Sequence, residues 1–309
     1  SSPRMNVADL RTKGWEASIT WGDSFTLASK PFNYRIMAGI GDNTSKVTKY
    51  DNPNRTLTDP YEGQQLGEIW GYVVDGYFKT DEEARNYKVD QSFVNQMINA
   101  SALDNGLHAG DLKFVDLDGN NKIEQTTSAN DRKDMKVIGN SLPRYNYNFG
   151  ISADWYGIDF SVLFQGIGKQ NWYPGAETSM FWGPYSRPYA SFIPSDFMSQ
   201  VWSEENTNAY FPRPRGYVAL GSNRELAVVN TKYLQNLAYC RLKNLSIGYT
   251  LPDKWLSKIG FEKIRVYFSG ENLLTFTKLH SDYIDPEQAS ASNSWKTSKS
   301  DANIYPWAK

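Results

Sequence analysis

The stretch DLDGNNKIE, Asp116 to Glu124, places oxygen-bearing side chains at the spacing of a calcium-binding loop. In such a loop, side-chain oxygens at positions 1, 3 and 5 and a backbone carbonyl at position 7 surround the ion. The residues at these positions and at position 9 are Asp116, Asp118, Asn120, Lys122 and Glu124. The sequence therefore predicts a candidate Ca²⁺ site in this segment.

Two positions of this stretch depart from the calcium-loop pattern. Position 6 is Asn121, where glycine is usual, and position 12 is Thr127, where a bidentate glutamate is usual. Without that glutamate, a Ca²⁺ site would be weaker or would need ligands from elsewhere in the chain. The alternative is an Asx-rich turn whose side chains satisfy their own backbone.

A second candidate site is the aromatic-rich segment NWYPGAETSMFWGPYSRPYASF, residues 171–192. Exposed aromatic side chains can stack on sugar faces or anchor a partner protein. The candidate ligand-binding or partner-binding residues are Trp172, Tyr173, Phe181, Trp182, Tyr185 and Tyr189. The alternative is that these side chains pack a long loop onto itself.

Composition argues against several other functions. The 33 lysines and arginines nearly balance the 34 aspartates and glutamates, so we expect no nucleic-acid partner. Cys240 is the only cysteine, which excludes an intrachain disulfide and a cysteine-cluster zinc site. The two histidines, His108 and His280, lie far apart and form no catalytic motif, and no phosphate-binding loop is present. We therefore expect no enzymatic activity.

The elements around these candidates show the two-residue period of β-strands. From Tyr145 to Trp155, the odd positions are apolar or aromatic and the even positions are polar or glycine. After Tyr156 and Gly157 the apolar residues fall on even numbers, beginning with Ile158. A two-residue hairpin that pairs Trp155 with Ile158 keeps all of them on one face. That face must contact either a protein core or lipid.

Four further segments are predicted to be strands: 15–21, 32–40, 238–251 and 264–276. The first two are joined by the short connection 22–31, and a bulge is predicted at Lys243 and Asn244, where the apolar parity shifts. Long, turn-rich segments span 41–143, 167–236 and 277–302, and a further strand is predicted from Asn303. Short turns that alternate with long loops are typical of an outer-membrane barrel, in which the long loops are extracellular.

The dimensions of the strand 145–155 also favour a membrane. It rises about 33 Å, and a tilt near 40° leaves roughly 25 Å along the barrel axis, the height of an outer-membrane apolar band. Aromatic residues at both of its ends resemble interfacial girdles. The predicted fold class is all-β, an antiparallel transmembrane β-barrel segment with long extracellular loops. The alternative is a soluble sandwich whose apolar face packs on a second sheet.

The stretch AYCRLKNLSIGYTLP followed by IRVYFSGENLLTF resembles the C-terminal part of SusC-like TonB-dependent transporters, the SusC/RagA type. Three further stretches share this resemblance: GDLKFVDLDGNNKIE with the downstream IGNSLPRYNYNFG, VWSEENTNAYFPR, and GWEASITW. Together they extend over nearly the whole chain, and their order is more specific than any single stretch.

The resemblance implies that residues 1–309 form about the last six to seven strands of a 22-stranded, plugged barrel in the outer membrane of a Gram-negative bacterium. Such transporters import bulky nutrients, mostly oligosaccharides and in some members peptides. The expected partners are a SusD-like surface lipoprotein, the remaining barrel and plug, TonB acting through the N-terminal region, outer-membrane lipid, and the substrate. We therefore expect glycan import by a longer protein that supplies the plug and a closing strand.

Three alternatives to glycan import remain open from the sequence. The chain could belong to a peptide-importing member of the same family, to a soluble β-rich carbohydrate-binding module, or to a passive porin-like channel.

Overall fold

A computed structural model describes residues 7–94, 106–186, 193–214, 216–221, 224–257, 260–289 and 299–300. Within these residues, no helix is both long and apolar enough to cross a membrane. The elements in chain order are β1 (Ala8–Leu27), β2 (Lys30–Tyr50), β3 (Glu68–Tyr72), β4 (Val74–Tyr77), α1 (Asp81–Arg85), β5 (Leu112–Phe114), β6 (Met135–Asn140), β7 (Arg144–Trp155), β8 (Ile158–Lys169), β9 (Asn171–Pro174), α2 (Ser179–Trp182), β10 (Gln235–Asn236), β11 (Tyr239–Thr250), α3 (Asp253–Leu256), β12 (Arg265–Thr277) and β13 (Lys299–Ser300).

Six long strands form one antiparallel sheet in the order β1-β2-β7-β8-β11-β12. The predicted hairpin is confirmed, since Trp155 pairs with Ile158 across the two-residue turn Tyr156–Gly157. Both turn residues have a left-handed φ, of 49° and 84°, as a type I′ turn requires. The predicted bulge is also confirmed, because the register of β11 against both neighbours shifts between Leu242 and Asn244.

The first hairpin differs from its sequence prediction. The segment 22–31 is not a connection, because β1 and β2 continue through most of it and turn only at Ala28 and Ser29. These residues have left-handed φ values of 48° and 64°, the same two-residue geometry without the usual asparagine or glycine. Cross-strand pairs continue to Leu27 and Lys30, so both strands are longer than the sequence predicted.

The six-stranded sheet has one continuous apolar face. Cross-strand neighbours form rows on this face, such as Trp21, Ile36, Ile151, Val162 and Leu245, and Phe25, Phe32, Trp155, Ile158, Tyr249 and Val266. Large side chains of these rows, including Trp21, Ile36, Ile151 and Val266, are exposed. No described segment covers this face, so the second sheet that a sandwich would need is missing from the described residues.

The buried core lies outside the sheet. The described residues of 51–143, 170–238 and 278–289 form a second part, which we call the loop body. Its core contains the large buried aromatic side chains Tyr72, Phe114, Trp172, Tyr173, Phe181, Trp182, Tyr185, Phe197, Phe211 and Tyr233. The long connections therefore fold around a core of their own, while the apolar face of the sheet stays free.

Strands β1 and β2 extend beyond the rest of the sheet. β2 pairs with β7 only over Phe32–Gly41, whereas it pairs with β1 along nearly its whole length. Residues 41–50 and 167–169 are therefore strand within the predicted loops 41–143 and 167–236. The loop body continues from this extension, since the Val47 N–H donates to the Gln64 carbonyl at 2.9 Å and the Leu66 N–H donates to the Ser45 carbonyl at 2.9 Å.

Candidate functional site

The predicted calcium loop is a tight Asx-type turn in the loop body. Asp116 accepts two backbone hydrogen bonds, from the N–H groups of Gly119 and Asn121, each at 2.7 Å. Asn121 has a φ of 63°, so an asparagine supplies the left-handed conformation for which glycine is usual. Asn120 accepts from the Lys122 N–H at 2.8 Å. The side chains thus satisfy their own backbone, which is the alternative derived from the sequence.

The structure brings a third carboxylate, Asp134, to this turn. Asp116, Asp118 and Asp134 each offer an oxygen, and these atoms lie within 4.8 Å of one another. Asp134 is fully buried and accepts from the Leu117 N–H at 2.8 Å and the Glu124 N–H at 2.7 Å. No local spacing links Asp134 to the motif, so the sequence pattern could not predict its role.

The other predicted ligands are engaged differently. Glu124 pairs with Lys133 at 3.2 Å and accepts from the Asn120 side-chain amide at 3.0 Å. Lys122 forms an isolated parallel bridge with Asp90, in which the Asp90 N–H donates to the Asn121 carbonyl at 2.9 Å and the Ile123 N–H donates to the Asp90 carbonyl at 2.8 Å. The carboxylates that converge are therefore Asp116, Asp118 and Asp134, and their oxygens are the ligands that Ca²⁺ prefers.

The electrostatics of the three carboxylates reflect their proximity. Burial raises the pKa of Asp134, and the charges of Asp118 and Asp116 raise it further. The two backbone N–H groups that donate to Asp134 lower its pKa, but by less. Burial also acts against the charge of Asp116, but the N–H groups of Asn121 and Gly119 outweigh it and lower its pKa. A cation would relieve the repulsion that Asp134 experiences.

The predicted aromatic site is not an exposed surface. Five of its six residues are buried in the core of the loop body: Trp172, Tyr173, Phe181, Trp182 and Tyr185. Their polar atoms bond within the protein, as when the Tyr185 hydroxyl donates to the Pro212 carbonyl at 2.7 Å and the Trp182 indole N–H donates to the Gly175 carbonyl at 3.0 Å. The expectation that they offer stacking faces is therefore wrong, because a long loop region needs its own core. Tyr189 lies outside the described residues.

A buried ion-pair cluster ties the segment after β12 to the sheet. Arg241 of β11 is almost fully buried, and its Nη2 lies 2.5 Å from an oxygen of Asp285. Its Nη1 pairs with Glu287, which also accepts from the Lys243 Nζ at 2.8 Å. Sequence reasoning missed this cluster because its acids lie in a turn-rich segment far from β11.

The second face of the sheet is polar. Asn33 donates to Asp154 at 2.7 Å, and Arg265 reaches across Gly248 to donate to Asp159 through its Nε at 2.9 Å. A depression of about 840 Å³ lies against β1, β2, β7 and β8, and its lining combines polar residues such as Asn146, Asn148 and Gln165 with apolar ones such as Met37 and Leu163. One face therefore suits an apolar medium and the other suits water, which is the arrangement of a barrel wall.

Comparisons with known proteins agree with this two-faced sheet. No family model matches the chain. The chain is similar to two curated proteins of Formosa agariphila, TonB-dependent receptor P3, at 28% identity over 93% of this chain, and TonB-dependent receptor P39, at 25% identity over 90% of it. It spans 26% and 28% of their lengths. Its fold is similar to that of the RagAB peptide importer in its 'open-open' state, with a TM-score of 0.60 at 19% identity, covering 94% of this chain and 28% of that one.

The chain resembles a segment of a SusC/RagA-type TonB-dependent receptor, in sequence through its curated relatives and in fold through RagAB, as predicted. The fold class predicted from the sequence, a partial antiparallel β-barrel, is confirmed by the six-stranded sheet and by this likeness. TonB-dependent receptors of this type are outer-membrane proteins of Gram-negative bacteria, as predicted for this chain. The exposed apolar face of the sheet suits lipid, one of the two surroundings that its sequence pattern allows.

Proposed function

We propose that the receptor containing this segment imports a bulky nutrient across the outer membrane by TonB-dependent transport. This segment would supply part of the barrel wall together with an outward-projecting loop body. The observation that carries the proposal is the sheet with one exposed apolar face and one polar face, in a chain whose curated relatives are named TonB-dependent receptors. No step of this transport needs a catalytic residue in the segment.

The proposal includes the partners that the family resemblance implies. A SusD-like surface lipoprotein would close over the receptor, and a plug and the rest of the barrel would complete the lumen. TonB would act through a region outside this segment. The loop body, which has a core of its own, would be the surface on which this lid protein rests.

The substrate class proposed from the sequence is an oligosaccharide. A peptide is the second candidate, and it has one specific observation in its favour. The solved structures with the same fold carry the name RagAB peptide importer or transporter. Since likeness at 17–19% identity concerns the fold alone, both substrate classes enter the test.

The test is uptake of labelled oligosaccharides and oligopeptides by cells that carry the full-length receptor, with a receptor deletion as control. We expect uptake that requires the receptor and stops when a protonophore removes the proton-motive force. Uptake that persists without that force would identify a passive channel. A receptor recovered from plain buffer without detergent would contradict the membrane assignment.

We also propose that the turn at Asp116 binds Ca²⁺, with Asp118 and Asp134 as the other carboxylate ligands. The support is the convergence of three carboxylates and the raised pKa of the buried one. Asp118→Asn is the informative variant, because asparagine retains the acceptor for the Asn120 N–H. We expect calorimetric titration of the EDTA-treated receptor with CaCl₂ to show binding that this variant weakens by roughly tenfold or more. Titration without heat would leave the segment as a structural turn.

A further inference from the structure

Lys232 occupies an unusual position in the loop body. Its backbone is fixed, because its N–H donates to the Asn230 side chain at 3.0 Å and the neighbouring Thr231 N–H donates to the Tyr72 carbonyl at 3.0 Å. Its Nζ lies 4.8 Å from the ring centre of Tyr77 and 5.6 Å from that of Tyr210. The ammonium group is therefore held against two aromatic faces.

This ammonium group has no carboxylate partner among the described residues. Glu225, whose charge acts on Tyr77, and Asp282, whose charge acts on His280, form no ion pair with Lys232. The Tyr77 hydroxyl is used elsewhere, since it donates to the Tyr210 carbonyl at 2.5 Å. The rings thus hold the cation by their faces and leave its N–H donors available to an external acceptor.

Lys232, Tyr77 and Tyr210 are only partly buried, so an acceptor can reach them from solvent. The His280 ring stacks on Tyr210 with a centroid distance of 3.5 Å and remains partly exposed. Beside Tyr77, Gly76 has a φ of 98° and open space where a side chain would stand. Lys232 itself is half-buried, and this burial lowers its pKa. A partly desolvated cation gains more from an incoming anion than a cation in bulk water does.

We propose that Lys232, flanked by Tyr77, Tyr210 and His280, binds a carboxylate group of the imported nutrient. This inference rests on the proposed import function and narrows the substrate to one that carries a carboxylate. The C-terminus of a peptide and the uronate group of an acidic sugar share this chemistry, so both sources enter the test. The carboxylate accepts hydrogen bonds from the Lys232 Nζ, while the tyrosine rings provide apolar walls.

Lys113 provides a matched control for Lys232. Its Nζ also lies over two aromatic rings, 5.4 Å from that of Tyr87 and 6.0 Å from that of Phe78. However, Lys113 already forms an ion pair with Glu83 at 3.1 Å. The variants Lys232→Met and Lys113→Met each remove one cation of the same type, and only the first removes a cation without a carboxylate partner.

The experiment is calorimetric titration of the full-length, detergent-purified receptor with two pairs of probes. One pair is an acetylated oligoalanine with a free or an amidated C-terminus, and the other is oligogalacturonate or its methyl ester. We expect the acid form of one pair to bind more tightly than its neutral form. Lys232→Met should weaken binding of that acid form roughly tenfold and leave binding of the neutral form unchanged. Lys232→Arg retains most of that affinity, and Lys113→Met changes neither form. The pair that responds identifies the source of the carboxylate.

Several results would overturn the assignment of Lys232. These are equal binding of the acid and neutral forms, equal weakening of both forms by Lys232→Met, or the same loss in Lys113→Met. A receptor that binds other nutrients but neither carboxylate probe would also overturn the assignment, while the import function would stand. A receptor that supports no energised uptake of any nutrient would instead refute the import function.

Discussion

The carboxylates of Asp116, Asp118 and Asp134 converge although only the first two belong to one local pattern. The spacing of Asp116 and Asp118 can be read from adjacent residues of the turn. Asp134 comes close to them only because the segment before β6 folds against the turn. The same contrast applies to the aromatic residues, whose types were evident but whose burial depended on distant partners such as Phe211 and Tyr233. The sequence therefore predicted which residue types could bind a ligand, but not how deeply they are buried or which distant residues they contact.

His280 gives a prediction at this scale. Its Nε2 lies 2.7 Å from the Gln200 Oε1, its ring stacks on Tyr210, and burial together with the Lys232 charge lowers its pKa. Because the unfolded chain binds the proton more readily, stability is complete above the ordinary pKa of 6.5 and declines as the pH falls below it. Hydrogen exchange of the segment 278–289, corrected for intrinsic rates, should therefore accelerate below about pH 6.5.

The control for His280 is the non-titrating variant His280→Gln. Its exchange in the same segment should show little of the acceleration. If the variant and the native receptor respond to acid alike, another group governs the effect.

At the scale of elements, the sequence predicted the strands of the sheet more reliably than the loops. The alternation of apolar and polar residues located β7, β8, β11 and β12 and the bulge between Leu242 and Asn244. The β1–β2 turn was missed because Ala28 and Ser29 adopt left-handed conformations without a glycine or asparagine signal. The strands β3 to β6 were missed because long-range packing determines them, and the aromatic core was foreseen only as an alternative to an exposed aromatic surface.

Trp182 gives a prediction at the element scale, since it lies at the centre of the aromatic core of the loop body. Its ring contacts Phe181, Tyr233 and Phe211 with centroid distances of 4.8, 5.2 and 6.3 Å. Trp182→Ala should cost about 3–5 kcal/mol of loop-body stability through lost burial and cavity formation. Limited proteolysis of the full-length receptor should then cleave the loop body, while the barrel strands remain protected.

The matched control for Trp182 is Trp255→Ala in α3. That side chain is 59% exposed, so its removal leaves no cavity in the loop body. Equal proteolysis of both variants would contradict a core centred on Trp182.

At the scale of the whole molecule, the sheet and the loop body are stabilised by different surroundings. The sheet buries no core of its own and exposes one apolar face, while the loop body encloses its apolar residues as a water-soluble domain does. In the sheet, apolar side chains are exposed where a sandwich would bury them. In the long connections, apolar side chains are buried as in an ordinary globular domain. This division follows from placing lipid against the strands and water around the loops.

Adjacent residues of β7 test this division. Ile151 lies on the apolar face between Ile36 and Val162, and Ser152 lies on the polar face between Arg35 and Ser161. Ile151→Arg should cost about 2–4 kcal/mol at the bilayer midplane, whereas Ser152→Arg should cost little. The folded fraction of the full-length receptor in outer membranes, measured by heat-modifiable electrophoretic mobility, should fall only for Ile151→Arg. The same loss in both variants would contradict the assignment of the two faces.

The extension of β1 and β2 beyond the sheet has a mechanical consequence. A strand of about 20 residues spans roughly 65 Å, and its ladder hydrogen bonds are perpendicular to its length. A pull on the loop body along β2 would load these bonds in shear, so that many resist together instead of opening one at a time. The extended hairpin would then act as a stiff lever that carries force from an outer partner directly into the barrel wall.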